Sequence, residues 1–488
     1  MEKGLAVQAL STNDTIVTCL AQLLMSGFSH MKYNLISLFA GAGGLDLGLE
    51  MAGFTTKIAN ELEPYACETL RRNKAISTLN KTTDFENFVQ EVLKQKCYRN
   101  LSERDKHHLI CRLKMKFEDG FDFLTEANII EGDIRSISSS QFREALGTEN
   151  LFCIAGGPPC QPFSKAGKQK SVDCTKNGDL FFEFIKKIQD LQPKWFIFEN
   201  VKGLTFTKTD VLYLFCRSCN KEDLAPFEIR KNFNPEVIPA TSCTNCGCRK
   251  TEWKIRNEQG GSLKIILNEF KKTGYSCETK ILNSADYGAP QIRERLFIVG
   301  NIEGKKIKWP TQTHSRTDNN NKELKQGDFF SDSVYDKKPW VSMYDALWVN
   351  GHSEYGLLDK EVAELWVKNV VRPHDEPVTW SLDRPSPTIG AHQAAKLAIA
   401  PFGVPDSQIF RQQWHTKGRR QGDTKPVFVE HQLLSDEELL KLQTFPSWWY
   451  LHGTRMQRAF QIGNAVPPLL GKLIGKAIIE SDKGDQKC

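Results

Sequence analysis

The sequence predicts an α/β protein with a doubly wound, mostly parallel sheet and a smaller, loop-rich second domain. Three observations carry this expectation. Six short β-rich runs end in polar or glycine-rich tips. Helical patterns fall between several of them. Most of the runs are near-continuous apolar stretches, as expected of strands covered on both faces.

The first run, NLISLFAG at 34–41, leads into Gly41-Ala42-Gly43-Gly44-Leu45-Asp46 and then a helical pattern. Glycines there let the backbone approach a ligand closely, although a tight structural turn reads the same way. Asp46 stands where the dinucleotide fingerprint has its last glycine, which argues against a nicotinamide oxidoreductase. The second run, TTKIANE at 55–61, ends at Glu61, twenty residues after Gly41. An acid at that place can hold a ribose diol. The third run, ANIIEGD at 127–133, ends at Asp133, an acceptor for an adenine amino group. Taken singly, each acid reads as a helix cap or a surface charge. With the glycine loop they form a nucleoside-binding set that does not demand a pyrophosphate site.

The fourth run, LFCIAGG at 151–157, continues into GGPPCQPFSKAGKQ at 156–169. Pro158 and Pro159 stiffen the turn and present Cys160 at the carboxyl edge of the strand. A lone cysteine is usually a buried, inert thiol. Lys165, Lys168, Lys170 and Lys176, with Gly167 and Gly178 as hinges, make a basic loop suited to closing over a polyanion. Asp179 then caps DLFFEFIKKIQDLQ, whose Leu180, Phe184, Ile188 and Leu191 share one helical face. The fifth run, KWFIFEN at 194–200, supplies Glu199 and Asn200. A carboxylate beside a thiol can donate a proton or orient it. QIRERLFIVG brings Arg293 and Arg295 to the start of the last run, 295–301. An arginine pair can hold a carbonyl oxygen or a phosphate, or simply form a surface ion pair.

Two segments interrupt this rhythm. Residues 81–120 read as added helices, with Phe85, Phe88, Val89, Val92 and Leu93 at helical spacing. Residues 204–260 hold five of the fourteen cysteines. Cys216 and Cys219, then Cys243 and Cys246 after twenty-three intervening residues, match the paired Cys-x2-Cys spacing of a zinc ribbon. Cys248 is either spare or a replacement for Cys246, and free thiols or an iron–sulfur cluster are the other readings. After residue 301 the texture is polar and proline-bearing, as in a loop-rich domain.

At 488 residues the chain has room for two or three domains. A formal charge of +6 means that nucleic-acid binding must come from local basic patches. No run of eighteen apolar residues occurs, so no membrane span is expected. The first thirty residues do not read as a secretory signal, and Met31 is a candidate start. Scattered cysteines point to a reducing, cytoplasmic setting.

In this order FAGAGGLDLG, the ANELEPYA region, GDI, GGPPCQPFSKAGKQ, ENV, QIRERLF, LQTFP and QIGNAVPP resemble the DNA (cytosine-5)-methyltransferase family, across residues 35–470. The resemblance implies the S-adenosylmethionine-dependent methyltransferase fold and S-adenosyl-L-methionine as cofactor. It implies that Phe39, Gly41, Gly43 and Leu45 wrap the methionine part, that Glu61 holds the ribose and Leu62 packs at the adenine. Asp133 and Ile134 would contact the adenine, and Pro159, Asn464 and Val466 would complete the pocket. Cys160 would attack C6 of a flipped-out cytosine, with Glu199 at N3 and the amino group and Arg295, with Arg293 nearby, supporting the base carbonyl. Gln161, Ser164, Lys165 and Lys168 would face the DNA.

The same resemblance divides the chain into a catalytic domain at 31–301, a target recognition domain at 302–445, and a hinge with a returning segment at 446–480. Arg411, Gln412, Gln413, His415, Lys417, Arg419 and Arg420 are candidates for DNA contact, although each alone reads as solvated surface. Lys441 stands where the family commonly has arginine. The implied activity is methylation of C5 in a specific double-stranded DNA sequence by a monomer. A paired restriction endonuclease would act without stable contact. An RNA cytosine methyltransferase and a catalytically silent DNA-binding regulator are the alternatives. The cysteine-rich insert is outside the family's shared core.

Overall fold

The computed structural model describes residues 33–79, 82–94, 103–119, 122–159, 179–226, 229–230, 240–316, 337–349, 352–353, 378–381, 384–391, 397–400 and 432–484. The candidate start Met31, the Cys160 loop with Gln161, Ser164, Lys165 and Lys168, and the candidate DNA contacts from Arg411 to Arg420 lie outside the described residues.

The five apolar runs before residue 201 form β1 (Tyr33–Leu38), β2 (Phe54–Glu61), β3 (Asn128–Glu131), β4 (Cys153–Gly156) and β5 (Trp195–Val201). The last run forms β10 (Glu294–Asn301). They lie in one seven-stranded sheet of order β3-β2-β1-β4-β5-β10-β9. The pairs β3–β2, β2–β1, β1–β4 and β4–β5 are parallel. β10 runs antiparallel to both β5 and β9 (Ser276–Asn283). The chain order reverses between β1 and β4, which opens a crevice at their carboxyl ends.

Both faces of the sheet are covered, which is why the strands read as continuous apolar runs. Ile36, Leu38, Ile154, Phe196, Phe198 and Ile298 point to one side. There α6 (Asp179–Leu191) and α7 (Gly261–Lys272) supply Phe184, Ile188, Ile265 and Phe270. Leu35, Ala155, Ile197, Phe297 and Val299 point to the other side. That side is covered by α1 (Gly44–Ala52) and α11 (Pro468–Lys483), through Leu45, Leu49, Leu470, Ile474 and Ile478. Each such side chain, fully buried, contributes about 1.5–3 kcal/mol.

Helices α1 and α11 meet at glycines on both sides, Gly44 and Gly48 against Gly471 and Gly475. A Cβ on Gly48 would lie 2.2 Å from the Pro468 carbonyl oxygen, and one on Gly44 2.2 Å from that of Val466. Only bare backbone permits this approach. The far end of α11 is fastened to β5, since Trp195 Nε1 donates to Asp482 at 3.0 Å and Lys194 pairs with it at 2.9 Å. The C-terminal segment thus packs directly on the first helix.

Between β2 and β3, α2 (Pro64–Ser77), α3 (Thr82–Lys94) and α4 (Glu103–Asp119) share a small core of Ile76, Phe85, Phe88, Val89, Val92 and Leu113 that also takes in Tyr450. The expected helical insert is therefore two helices. Ser138 caps α5 (Ser139–Leu146) in a reciprocal bond with Gln141. Residues 204–260 hold a three-stranded antiparallel ribbon, order β7-β6-β8, of β6 (Lys208–Cys216), β7 (Glu222–Leu224) and β8 (Thr251–Gln259).

Between residues 302 and 435 the described elements are short. They include α8 (Met343–Leu347) and a small sheet of β11 (Val378–Ser381), β12 (Leu397–Ala400) and β13 (Gln432–Leu433). Capping boxes at Ser435 and Thr454 start α9 (Asp436–Leu442) and α10 (Arg455–Asn464). Trp448 and Trp449 are buried rather than presented to a partner. Trp449 packs on Phe123 and Phe445.

Candidate active site

The loop after β1 is shaped by its glycines. Phe39, Gly41 and Gly43 all have positive φ, at 56°, 57° and 78°. Gly41 donates its amide to Glu61 Oε2 at 2.7 Å. The other carboxylate oxygen of Glu61 accepts from the amides of Leu62 and Glu63, each at 2.9 Å. Burial raises the Glu61 carboxyl above its usual range, and these amides pull it back down. A Cβ on Gly41 would meet nothing within 4 Å, so its face opens outward. A Cβ on Gly43 would meet Leu70 at 2.7 Å, so that face is closed by packing.

Asp133 follows β3 and is drawn to Glu61 by the main chain, where the Gly132 amide donates to the Glu61 carbonyl at 2.9 Å. Its side chain caps the turn beginning at Ile134 and pairs with Arg135, which holds the carboxyl below its ordinary value. Ile134 is buried and Leu62 is half exposed, at 54%. From the C-terminal side, Val466 is buried, with its carbonyl against Gly44, and Asn464 ends α10 exposed. The structure therefore brings Gly41, Gly43, Leu45, Glu61, Asp133 and Val466 to one end of the sheet.

The second half of the site is built on β4, β5 and β10. Glu199 lies on β5, nearly buried, and Arg295 Nε pairs with its Oε1 at 3.0 Å. The antiparallel register places Arg295 opposite Val201, two positions past Glu199, so the arginine arrives at this edge from the opposite direction. Burial raises the Glu199 carboxyl, against Arg295 and then Arg293, which lower it. A Cβ on Gly157 would lie 2.7 Å from Glu199 Oε2. Asn200 Nδ2 donates to the Pro158 carbonyl at 3.1 Å. Glu199 therefore packs against Gly157 and its neighbour Asn200 holds Pro158, the two residues before exposed Pro159 at the base of the segment that carries Cys160.

Arg293 behaves differently from its neighbour. It is wholly buried, and its guanidinium donates to the carbonyls of Ile389 and Gly463 at 3.0 Å each. Its amide donates to Asn283 Oδ1 at 3.1 Å. It thereby joins the β10 edge to residues 384–391 and to the residue preceding Asn464. Nearby, Gln291 reaches the Leu442 carbonyl at 3.4 Å, and Gln443 reaches that of Ile462 at 2.8 Å.

Three polar residues to which the sequence assigned no role in the site belong to its frame. Asn60 fastens the β3 turn, donating to the carbonyls of Ile130 and Gly132 at 3.1 and 3.0 Å. Asn200 fastens the Pro158 turn. Asp46 is 1% exposed beneath the glycine loop, its enclosed carboxylate facing the Ser37 side chain and its own amide. Burial raises its pKa from 3.8 to about 6. The available signal was an amide ending an apolar strand, in ANE and in ENV.

At the tip of the ribbon, Cys216, Cys219, Cys243 and Cys246 have sulfur atoms within 4.8 Å of one another, a set able to hold a metal ion. No described helix is long and apolar enough to cross a membrane.

Comparisons with known proteins agree with this arrangement. Residues 33–97, 116–222 and 255–480 match the model of the family described as C-5 cytosine-specific DNA methylase. The chain is 29% identical over 319 residues to the Type II methyltransferase M.AquIA of Picosynechococcus, covering 65% of this chain and 88% of that protein. It is 26% identical over 461 residues to the Type II methyltransferase M.FnuDI of Fusobacterium nucleatum, covering 92% of this chain and 94% of that protein. The unmatched stretch 223–254 contains Cys243, Cys246 and Cys248.

Proposed function

The chain belongs to the C-5 cytosine-specific DNA methylase family and is a DNA (cytosine-5-)-methyltransferase; from that premise we propose that it methylates C5 of a cytosine in a specific double-stranded DNA sequence, through a covalent bond from Cys160 to C6. The observation that carries this mechanism is the Glu199–Arg295 pair, tied through Asn200 and Pro158 to the root of the Cys160 segment.

S-adenosyl-L-methionine is the methyl donor of this family. The residues present fit it, because the open face of Gly41 and the adjoining Glu61 carboxylate form a cradle for a nucleoside without a phosphate site. Phe39, Gly41, Gly43 and Leu45 would hold the methionine part, Glu61 the ribose, and Leu62, Asp133 and Ile134 the adenine. Pro159, Asn464 and Val466 would close the pocket. When bound, the cofactor supplies the electrophilic methyl group that C5 accepts.

The target atoms are unreachable inside a duplex, so the cytosine is flipped out. The Cys160 thiolate adds to C6, forming the carbon–sulfur bond and shifting the ring electrons toward N3. Glu199, whose carboxyl burial has raised, donates its proton to N3 and leaves an enamine with a nucleophilic C5. Arg295 fixes Glu199 and supports the base carbonyl. After methylation a base removes the C5 proton, the C6–sulfur bond breaks and the thiolate departs, and the N3 proton returns to Glu199. Arg293 acts as a positioning residue, since its guanidinium is committed to Ile389 and Gly463. Gln161, Ser164, Lys165 and Lys168 face the DNA. Residues 31–301 with 446–480 form the catalytic domain, and 302–445 read the target sequence. The Type II relatives support a role in restriction–modification; on this reading the chain works in the cytoplasm as a monomer, with a paired endonuclease acting separately. The four-cysteine cluster is a structural zinc site, because four thiolates favour a closed tetrahedral centre.

An oligonucleotide with 5-fluorocytosine at the target position, incubated with protein and cofactor, tests the covalent step. A denaturant-resistant adduct that Cys160→Ala abolishes is expected. Clean separation of an active preparation from that oligonucleotide refutes it.

A further inference from the structure

The ribbon tip holds five thiols where a tetrahedral metal takes four, and sequence spacing does not say which is left out. Sulfur distances alone are ambiguous. Cys216 Sγ is 3.6 Å from Cys246 and 3.3 Å from Cys248, while Cys219 is 3.6 Å from Cys243. Burial would favour Cys248, which is half-buried, over Cys246, which is exposed. The two turns decide the matter.

In the first turn, Cys216-Arg217-Ser218-Cys219-Asn220, the residue after the second cysteine is left-handed, with Asn220 at φ 55°. In the second, Cys243-Thr244-Asn245-Cys246-Gly247, the matching residue is again left-handed, with Gly247 at φ 69°. The amides follow the same pattern. Asn245 donates to Cys243 Sγ at 3.4 Å, and Ser218 faces Cys216 in the same way. The Cys248 amide faces Cys246 as the Lys221 amide faces Cys219, but the Lys250 amide faces Cys248 likewise, so it is the left-handed residue and the two-residue spacing that pair Cys246 with Cys219. Each turn thus presents a pair of thiolates separated by two residues, with main-chain N–H groups aimed at the sulfurs. Such donors stabilise the negative charge of a bound thiolate.

The two turns face each other across the 3.6 Å contacts between Cys216 and Cys246 and between Cys219 and Cys243. A tetrahedron with metal–sulfur bonds of about 2.3 Å has edges of about 3.8 Å. The 3.6 Å contacts lie nearer such edges than the 3.3 Å contact to Cys248 does. Cys248 has its own task in the main chain, where its carbonyl accepts from the Cys243 amide at 2.9 Å and closes the second turn.

We propose that Cys216, Cys219, Cys243 and Cys246 bind one zinc ion as two matched turns, and that Cys248 stays outside the coordination sphere as an accessible thiol. This assignment rests on the zinc reading of the cluster. The ion joins the two ends of a ribbon whose first strand begins seven residues after Val201, so it clamps the excursion that leaves the active-site strand β5.

Elemental analysis of the purified chain and of C248S and C246S variants tests it, together with iodoacetamide labelling of the unaltered protein and peptide mapping. Stoichiometric zinc in the unaltered chain and in C248S, and a loss of at least half in C246S, is expected. Labelling should modify Cys248 while the other four stay protected until a chelator is added. An unaltered chain that holds no zinc and takes up none overturns the zinc reading itself. Zinc retained in C246S and lost in C248S, or Cys246 labelled while Cys248 is protected, overturns the ligand assignment and leaves the zinc reading standing. The labelling arm uses only unaltered protein, so it decides the assignment even when C246S does not fold.

Discussion

Asp46 offers a quantitative test of how the glycine loop is held. Its carboxyl is fully enclosed, and burial pushes its pKa up to about 6 against 3.8 when solvated, despite the opposing bonds from Ser37 and its own amide. The folded state therefore binds the proton more tightly than the unfolded state. For an acid shifted this way, stability is greatest below pH 3.8 and falls as pH rises toward the folded value. The whole displacement corresponds to about 3 kcal/mol, and roughly half of it, about 1.5 kcal/mol, is lost between pH 5 and 8. Replacing the residue by asparagine keeps the shape and removes the titration. Urea unfolding of the native chain and Asp46→Asn at pH 5, 6, 7 and 8 reads the difference. The variant carries some pH-independent offset from its amide, but the gap should move in its favour by about 1.5 kcal/mol across this range. Parallel curves would show that Asp46 ionises as an ordinary carboxylate, and the enclosed-loop account would fail.

Three further outcomes follow from the same geometry. Gly48→Ala drives a methyl group to 2.2 Å from the Pro468 carbonyl; it should cost about 1–3 kcal/mol in thermal unfolding and weaken cofactor binding measured by calorimetry. Glu199→Gln should slow single-turnover methylation by about 10²–10⁴-fold. Because the Glu199 carboxyl is raised and acts protonated, the native rate should fall as pH climbs through its pKa, and the variant should lack that descending limb. Arg293→Lys leaves one of two buried carbonyls without its donor; steady-state kinetics should show a rise in KM for the cofactor that exceeds the fall in kcat, with a stability loss of about 2–3 kcal/mol.

The strands that carry the site were legible because burial on both faces writes itself as an apolar run. β9 was not, since it is an exposed edge strand whose polar side chains, in SCETKILN, show no such pattern. The direction of β10 was hidden for a related reason: an apolar run looks the same whichever way it crosses the sheet. Glu61, Asp133 and Glu199 were readable as acids at strand ends, whereas the turn-holding bonds made by Asn60 and Asn200 were not, because the sequence does not say which distant carbonyls an amide will meet. Arg293 shows the opposite effect. A charge in a functional block reads as a contact for substrate, yet packing buried it against two carbonyls. The cysteine spacing picked out a cluster able to hold a metal ion, whereas the backbone handedness at Asn220 and Gly247, on which the proposed choice of Cys246 over Cys248 rests, does not follow from that spacing.

The glycine seam between α1 and α11 sets an order of events during synthesis. At roughly 5–20 residues per second, the ribosome releases the first helix tens of seconds before its partner exists. Through that interval the face of the first helix that carries Leu45 and Leu49 stays uncovered. A product truncated before Pro468 would lack the helix that covers it, and we expect such a chain to be too unstable to act on DNA.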